Sequence, residues 1–314
     1  MNTKPSLDDL FEHRILYPDV DAHARLSRLV GLDDHKMRLT KILGLLVNPM
    51  GLERWATHFY PESTGILSSV LRRPPLVILA GDVGSGKSAL AETIGDAVAR
   101  QEKIDITLFP LSLSTRGQGR VGEMTQLIST AFEYTVTEAA KLKASSGKSR
   151  GAIILLVDEA DAIAQSREAA QMHHEDRAGV NAFIRGVDRI ANNRLPAAVI
   201  MCTNRLAALD PAVKRRAAEI LTFNRPDETQ RHAILSEPLK QLGFTKRQVD
   251  ELIFATGPTK QRDYGLTCSD ITQRLLPAII LDAYPDHAVN PARAIEIADK
   301  IVPTPPFKEH GSLQ

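Results

Sequence analysis

A chain of 314 residues is long enough to bury a large core and to hold one large domain with a smaller companion. Its apolar content of 43% and charged content of 25% are ordinary for a globular protein, and a formal charge of +1 gives no sign of an overall basic surface suited to a nucleic-acid backbone. No run approaches the roughly 18 apolar residues of a membrane span, and the polar start lacks a signal-peptide pattern, so the cytoplasm is the expected compartment.

Residues 1–27 form a short N-terminal extension in which Leu10, Phe11, Ile15 and Leu16 suggest a helix. A second helix is predicted where Met37, Leu39, Ile42, Leu43, Leu45 and Leu46 share a side, and Pro61 to Pro75 reads as a connection. The apolar run Leu76–Ala80 then leads into Gly81-Asp82-Val83-Gly84-Ser85-Gly86-Lys87-Ser88, followed by Ala89 and an amphipathic helix. Strand, glycine-rich loop, Gly-Lys-Ser and helix make a phosphate-binding loop in its required context. Its N–H groups and the helix N-terminus can cradle phosphates; Lys87 should reach the outer phosphates and Ser88 should bind Mg²⁺.

Ile106–Phe109 reads as the next strand, Ser112–Gly122 as a polar loop, and Met124 to Phe132 as a helix. The apolar run Ala152–Val157 suits a parallel strand covered on both faces, and it ends on Asp158-Glu159-Ala160-Asp161. Carboxylates at that end lie where an open α/β sheet places its ligand. Asp158 is the expected carboxylate behind Mg²⁺, Glu159 the base that activates water, and Asp161 a helix cap. His173 and His174 are adjacent without spaced partners, so they read as loop residues rather than metal ligands. Val180 to Ile190 marks a helix, and Ala197–Cys202 a buried strand ending at Thr203-Asn204. Asn204 can orient the attacking water or touch the γ-phosphate. Neither Cys202, in this apolar run, nor Cys268 belongs to a disulfide or metal framework.

In Asp210-Pro211-Ala212-Val213-Lys214-Arg215-Arg216 the proline suits a first helical turn, and the cations complement the helix dipole. From Pro226 the strands stop. Helices are predicted over 227–242, 245–255, 269–284 and 290–301, with Asp227, Thr245, Ser269 and Asn290 as N-caps. Pro277 inside the third is unusual, since an interior proline costs about 3 kcal/mol. Residues 303–314 read as a disordered tail.

The ordered set Gly81–Ser88, Asp158-Glu159, Asn204 and Arg215-Arg216, followed by helices, resembles an AAA+ ATPase. The resemblance implies a P-loop three-layer α/β/α domain with a parallel sheet over residues 28–224 and a small helical lid over 225–302. It also implies ATP and Mg²⁺ bound between neighbours of a ring, usually a hexamer. Val30 and Gly31 would then line the adenine pocket, Asn204 would be sensor 1, and Arg215 and Arg216 would be arginine fingers acting on the adjacent subunit. A narrower resemblance, carried by Val180-Asn181-Ala182, Val187-Asp188-Arg189-Ile190, Gly265-Leu266-Thr267 and Arg274-Leu275-Leu276-Pro277, is to pachytene-checkpoint ATPases. It implies remodelling of a HORMA-domain-like protein, Arg274 as sensor 2, and Gly119-Arg120-Val121-Gly122 as a pore loop lacking the usual aromatic. Antiphage signalling is the setting such a compact remodeller implies. A DNA-directed AAA+ motor or loader and a nucleotide-gated scaffold are the alternative readings.

Overall fold

The computed structural model describes residues 10–11, 13–61, 70, 73–112, 123–144, 149–162, 174–259 and 262–306. In chain order the first half holds β1 (Ile15–Tyr17), α1 (Val20–Ser27), α2 (Asp33–Val47), α3 (Met50–Phe59), β2 (Leu76–Gly81), α4 (Lys87–Glu102), β3 (Asp105–Ser112) and α5 (Glu123–Leu142). Then come β4 (Gly151–Asp158), a 3₁₀ turn (Ala160–Ala162), α6 (His174–Asn192), β5 (Ala197–Thr203), α7 (Pro211–Lys214) and β6 (Ala217–Phe223). Helices α8 (Glu228–Gln241), α9 (Lys246–Ala255), α10 (Leu276–Ala283) and α11 (Pro291–Lys300) complete it, with a π-helical turn at Asp270–Leu275.

Two compact units result: Met1–Ser27, Asp34–Ala80 and Ser88–Thr222 in the first; Arg28–Asp33, Gly81–Lys87 and Phe223–Gln314 in the second. Among the described residues no helix is long and apolar enough to cross a membrane.

The first unit is built on a six-stranded sheet of order β1-β3-β4-β5-β2-β6. β3, β4, β5 and β2 pair in parallel, and β1 runs antiparallel along β3. Successive side chains of a strand face opposite sides. Ile153, Leu155, Val157, Val199 and Met201 enter one core with Phe132 and Phe183 of α5 and α6. The alternate residues Ile154, Leu156, Ala198 and Ile200 are equally buried. Both faces are therefore covered, which is why these strands read as continuous apolar runs.

Residues 15–17 correct the predicted N-terminal helix, because Ile15↔Leu108 to Tyr17↔Ile106 extend the sheet by an edge strand. Tyr17 is buried; its hydroxyl donates to the Glu92 carbonyl, and its ring occupies the space a Cβ at Gly95 would need. Asp19 N donates to Asp96 Oδ1 at 2.9 Å, and Asp96 Oδ2 bonds His23 Nδ1 at 2.9 Å. These tertiary contacts with α4 override local helical spacing. β6 adds a further strand at the other end of the sheet, beside β2.

The helices of the second unit bury Leu235, Leu252, Leu266, Ile271, Leu275 and Ala298 in a separate core. Asp227 and Thr245 cap α8 and α9 through reciprocal boxes with Gln230 and Gln248, and Asn290 caps α11, as predicted. Ser269 makes no cap bond. Thr267 and Asp270 take that role: Asp270 N donates to Thr267 Oγ1 and Thr267 N to Asp270 Oδ2, each at 3.0 Å. The predicted continuous helix over 269–284 is instead π-wound at its start, with Leu276 N bonding the Ile271 carbonyl five residues back. Pro277 thereby falls in the first turn of α10, where no N–H is needed.

Pro303–Pro306 depart from the disordered tail expected there, while 307–314 lie outside the described residues. Thr304 donates from N at 3.0 Å and from Oγ1 at 2.8 Å to Asp270. Burial pushes the Asp270 carboxyl upward, but donors from Thr267, Thr304 and Arg274 more than offset this and hold it at about 2. The folded value lies below the ordinary 3.8, so the stabilisation is present at neutral pH and lost as pH falls toward 2. Asp270→Asn should therefore cost about 2 kcal/mol at pH 7. In urea titrations its deficit against wild type should narrow steadily on acidification; a deficit that ignores pH would contradict this.

Candidate functional site

The loop after β2 is shaped by glycines that no other residue replaces cheaply. Gly81, Gly84 and Gly86 have φ of 150°, 74° and 95°. A Cβ at Gly81 would stand 1.9 Å from the Phe223 carbonyl oxygen, and one at Gly84 2.8 Å from Thr267 Oγ1. The loop carbonyls are engaged: Lys87 Nζ donates to Gly81 O at 2.9 Å and Asp82 O at 2.7 Å, Ser85 Oγ donates to Asp82 O at 2.8 Å, and Gly84 O accepts from Ser269 N at 3.0 Å. The N–H groups of Val83, Gly84, Ser85 and Gly86 donate to no protein acceptor among the described residues. A buried ammonium, unpaired amides and the N-terminus of α4 form a donor set that fits a polyphosphate. Ser88 and Ala89 open that helix, and Val83 is exposed.

Parallel pairing fixes where the carboxylates lie. Ala80 is opposite Thr203 and Val157 opposite Met201, so β2, β4 and β5 end on one edge of the sheet. Asp158 closes β4, and its Oδ1 accepts from Glu159 N at 2.9 Å. Glu159 is exposed and left-handed, with φ of 51°, a conformation that costs a side-chain-bearing residue about 1–3 kcal/mol. The turn throws its carboxylate clear of partners: none exists among the described residues.

Asp161, expected to cap a helix, instead receives Thr203 Oγ1 at 2.5 Å, Asn204 N at 2.9 Å and Asn204 Nδ2 at 3.1 Å. Donating Nδ2 to Asp161 orients the Asn204 amide and leaves its carbonyl oxygen without a partner among the described residues. The spacing Asp158-Glu159-x-Asp161 at a strand end was the available signal for this. Among the described residues no group of three or more His, Cys, Asp or Glu could hold a metal ion. Only Ser88 and Asp158 remain as the expected Mg²⁺ residues, a sparse set suited to an ion that keeps most of its waters.

The two candidate fingers differ. Arg215 is exposed, and its guanidinium has no partner among the described residues. Arg216 is gripped from both sides of the Asp188 carboxylate, at 2.7 and 2.9 Å, and also donates to Ala212 O at 3.1 Å. The Asp188 bond raises its pKa further. Arg274 pairs with Asp270 at 2.7 Å and donates to Val302 O at 3.0 Å, so the structure places it within the helical unit's own framework. Gly31, left-handed at φ 79°, offers its carbonyl to Gln230 Nε2 at 2.8 Å, beside exposed Val30. The expected pore-loop residues Gly119, Arg120, Val121 and Gly122 lie outside the described residues. Sequence reasoning missed Asp188 and Arg225 as partners, because each is defined by a contact between residues distant in the chain.

The family model described as ATPase family associated with various cellular activities (AAA) matches residues 77–225. The chain is 66% identical over 307 residues to CD-NTase-associated protein 6 of Escherichia coli (strain MS 115-1), spanning 98% of this chain and 99% of that protein. A solved chain from the E. coli MS115-1 HORMA:CdnC:Trip13 complex is similar at a TM-score of 0.90 and 65% identity, covering 98% of this chain and 100% of that one. Rhizobiales Trip13 is similar at 0.75 and 56%, covering 95% and 100%. The chain belongs to the AAA family of ATPases, among the relatives of CD-NTase-associated protein 6.

Proposed function

We propose that this ATPase binds ATP and Mg²⁺ between neighbouring subunits of a homo-oligomeric ring, a hexamer, and uses hydrolysis to remodel a HORMA-domain-like protein. The observation that carries this reading is near-complete coverage at 65% identity of a chain solved in a HORMA:CdnC:Trip13 complex. The cytoplasm and antiphage signalling are the setting the reading implies.

In this reading Lys87 leaves the loop carbonyls to neutralise phosphate charge, and the unpaired amides of Val83 to Gly86 hold the phosphate oxygens. Mg²⁺ supplies further positive charge, held near Ser88 and Asp158. Glu159, unpartnered and aimed outward, takes the proton of the attacking water. Asp161 fixes the amide of Asn204 so that its oxygen accepts from that water. Arg215 reaches into the adjacent subunit's site, and Arg216, held by Asp188, steadies the short helix that presents it. Remodelling then depends on the pore-loop residues 119–122 engaging a segment of the partner.

Glu159→Gln should keep nucleotide binding and ring assembly but lower steady-state hydrolysis by about a hundredfold or more. Turnover near wild type would remove Glu159 from the base role. Asp161→Asn should lower kcat with little change in KM, because the Asn204 amide must flip to meet the new donor; an unchanged kcat would count against the orienting role. Arg215→Ala and Lys87→Ala should each be inactive alone, yet mixing them should restore hydrolysis at sites where one subunit supplies Lys87 and its neighbour Arg215. Failure of mixtures to recover any activity would mean that the fingers do not act between subunits. Accelerated release of a HORMA-domain protein's bound segment, read by fluorescence, tests the substrate assignment directly.

A further inference from the structure

Asp82 is an awkward residue to find inside a loop that must receive a polyphosphate. Its carboxylate is only 25% exposed, and a negative charge there opposes every anion the loop could hold. Among the described residues one side chain answers it. Arg225 Nε donates to Asp82 Oδ2 at 2.9 Å, and the arginine side chain is 14% exposed. The same group donates from Nη1 to the Gly265 carbonyl at 2.8 Å and from Nη2 to the Thr304 carbonyl at 2.7 Å. Its Cζ lies over the Tyr264 ring, 4.6 Å from the centroid. All three nitrogens are therefore used and the cation sits over a ring, a set of contacts that a lysine ammonium could not reproduce. The neighbouring bond from Ser269 N to the Gly84 carbonyl and the tight fit of Gly84 against Thr267 bring the same stretch of chain onto the loop.

We propose that Arg225 is a positioning residue with two effects: it neutralises Asp82 so that the loop accepts ATP, and it sets the loop's conformation by the placement of residues 264–269 and 304. This rests on the nucleotide-binding reading above and deepens it. Asp82 and Arg225 work as a matched pair. Removing the arginine exposes an unbalanced carboxylate to the phosphates, whereas removing both charges restores electrostatic neutrality but leaves the loop untied.

The test is titration of a fluorescent ATP analogue into full-length protein at low and high salt, with thermal unfolding of each variant alongside. Arg225→Ala should weaken binding about tenfold or more at low salt and by less at high salt, since screening mutes an exposed charge. Arg225→Lys should recover part of the affinity, and Asp82→Asn alone should bind at least as tightly as wild type. Asp82→Asn combined with Arg225→Ala should return affinity to within about threefold of wild type. If Arg225→Ala binds as wild type does, or if the double variant is as weak as Arg225→Ala, the proposed compensation is wrong. If the wild-type protein itself binds no analogue, the nucleotide reading fails and takes this inference with it.

Discussion

Everything about the candidate site depends on the register of parallel strands. A parallel pairing brings equivalent ends together, so β2, β4 and β5 deliver Ala80, Asp158 and Thr203 to one edge although more than a hundred residues separate the first from the last. Burial on both faces makes that register costly to shift, because a slip by one residue would exchange the two apolar sets of every strand. The short polar turns leaving that edge are consequently placed by the core beneath them. Irregular backbone, such as the left-handed Glu159, is tolerated there because its flanks, Val157 and Ala160, are fully buried.

On this scaffold most charged groups near the candidate site are held by named partners. Asp161 is held by Thr203 and Asn204, Asp188 by Arg216, Asp82 by Arg225, and Asp270 by Arg274 together with Thr304. Among the described residues the carboxylate of Glu159 and the guanidinium of Arg215 have no such partner. The proposed work of both is done on groups outside the chain. A partnered charge is oriented and electrostatically quiet, while an unpartnered one keeps its full capacity for an incoming group.

Local features of the fold were legible. The apolar runs predicted the inner strands because both faces are covered, and Asp227, Thr245 and Asn290 announced their helices through capping chemistry that acts within three residues. The glycines of the phosphate loop were legible for the same reason, since their backbone angles are a local demand. What escaped was non-local. Ile15–Tyr17 became a strand through an edge of β3 and a pocket over Gly95, Thr267 displaced Ser269 as a cap, and a π-turn resolved the conflict posed by Pro277. Asp161 was misread because a cap and a side-chain orienter use the same residue type. The pairing of Asp82 with Arg225 spans 143 positions, and no spacing rule reaches that far.

The backbone angle at Glu159 has an evolutionary corollary. Glycine, asparagine and aspartate enter the left-handed region more readily than glutamate does. Breeding this protein for endurance alone, with no demand for turnover, would favour replacing position 159 by one of those residues. Stability alone therefore does not account for a glutamate at this position.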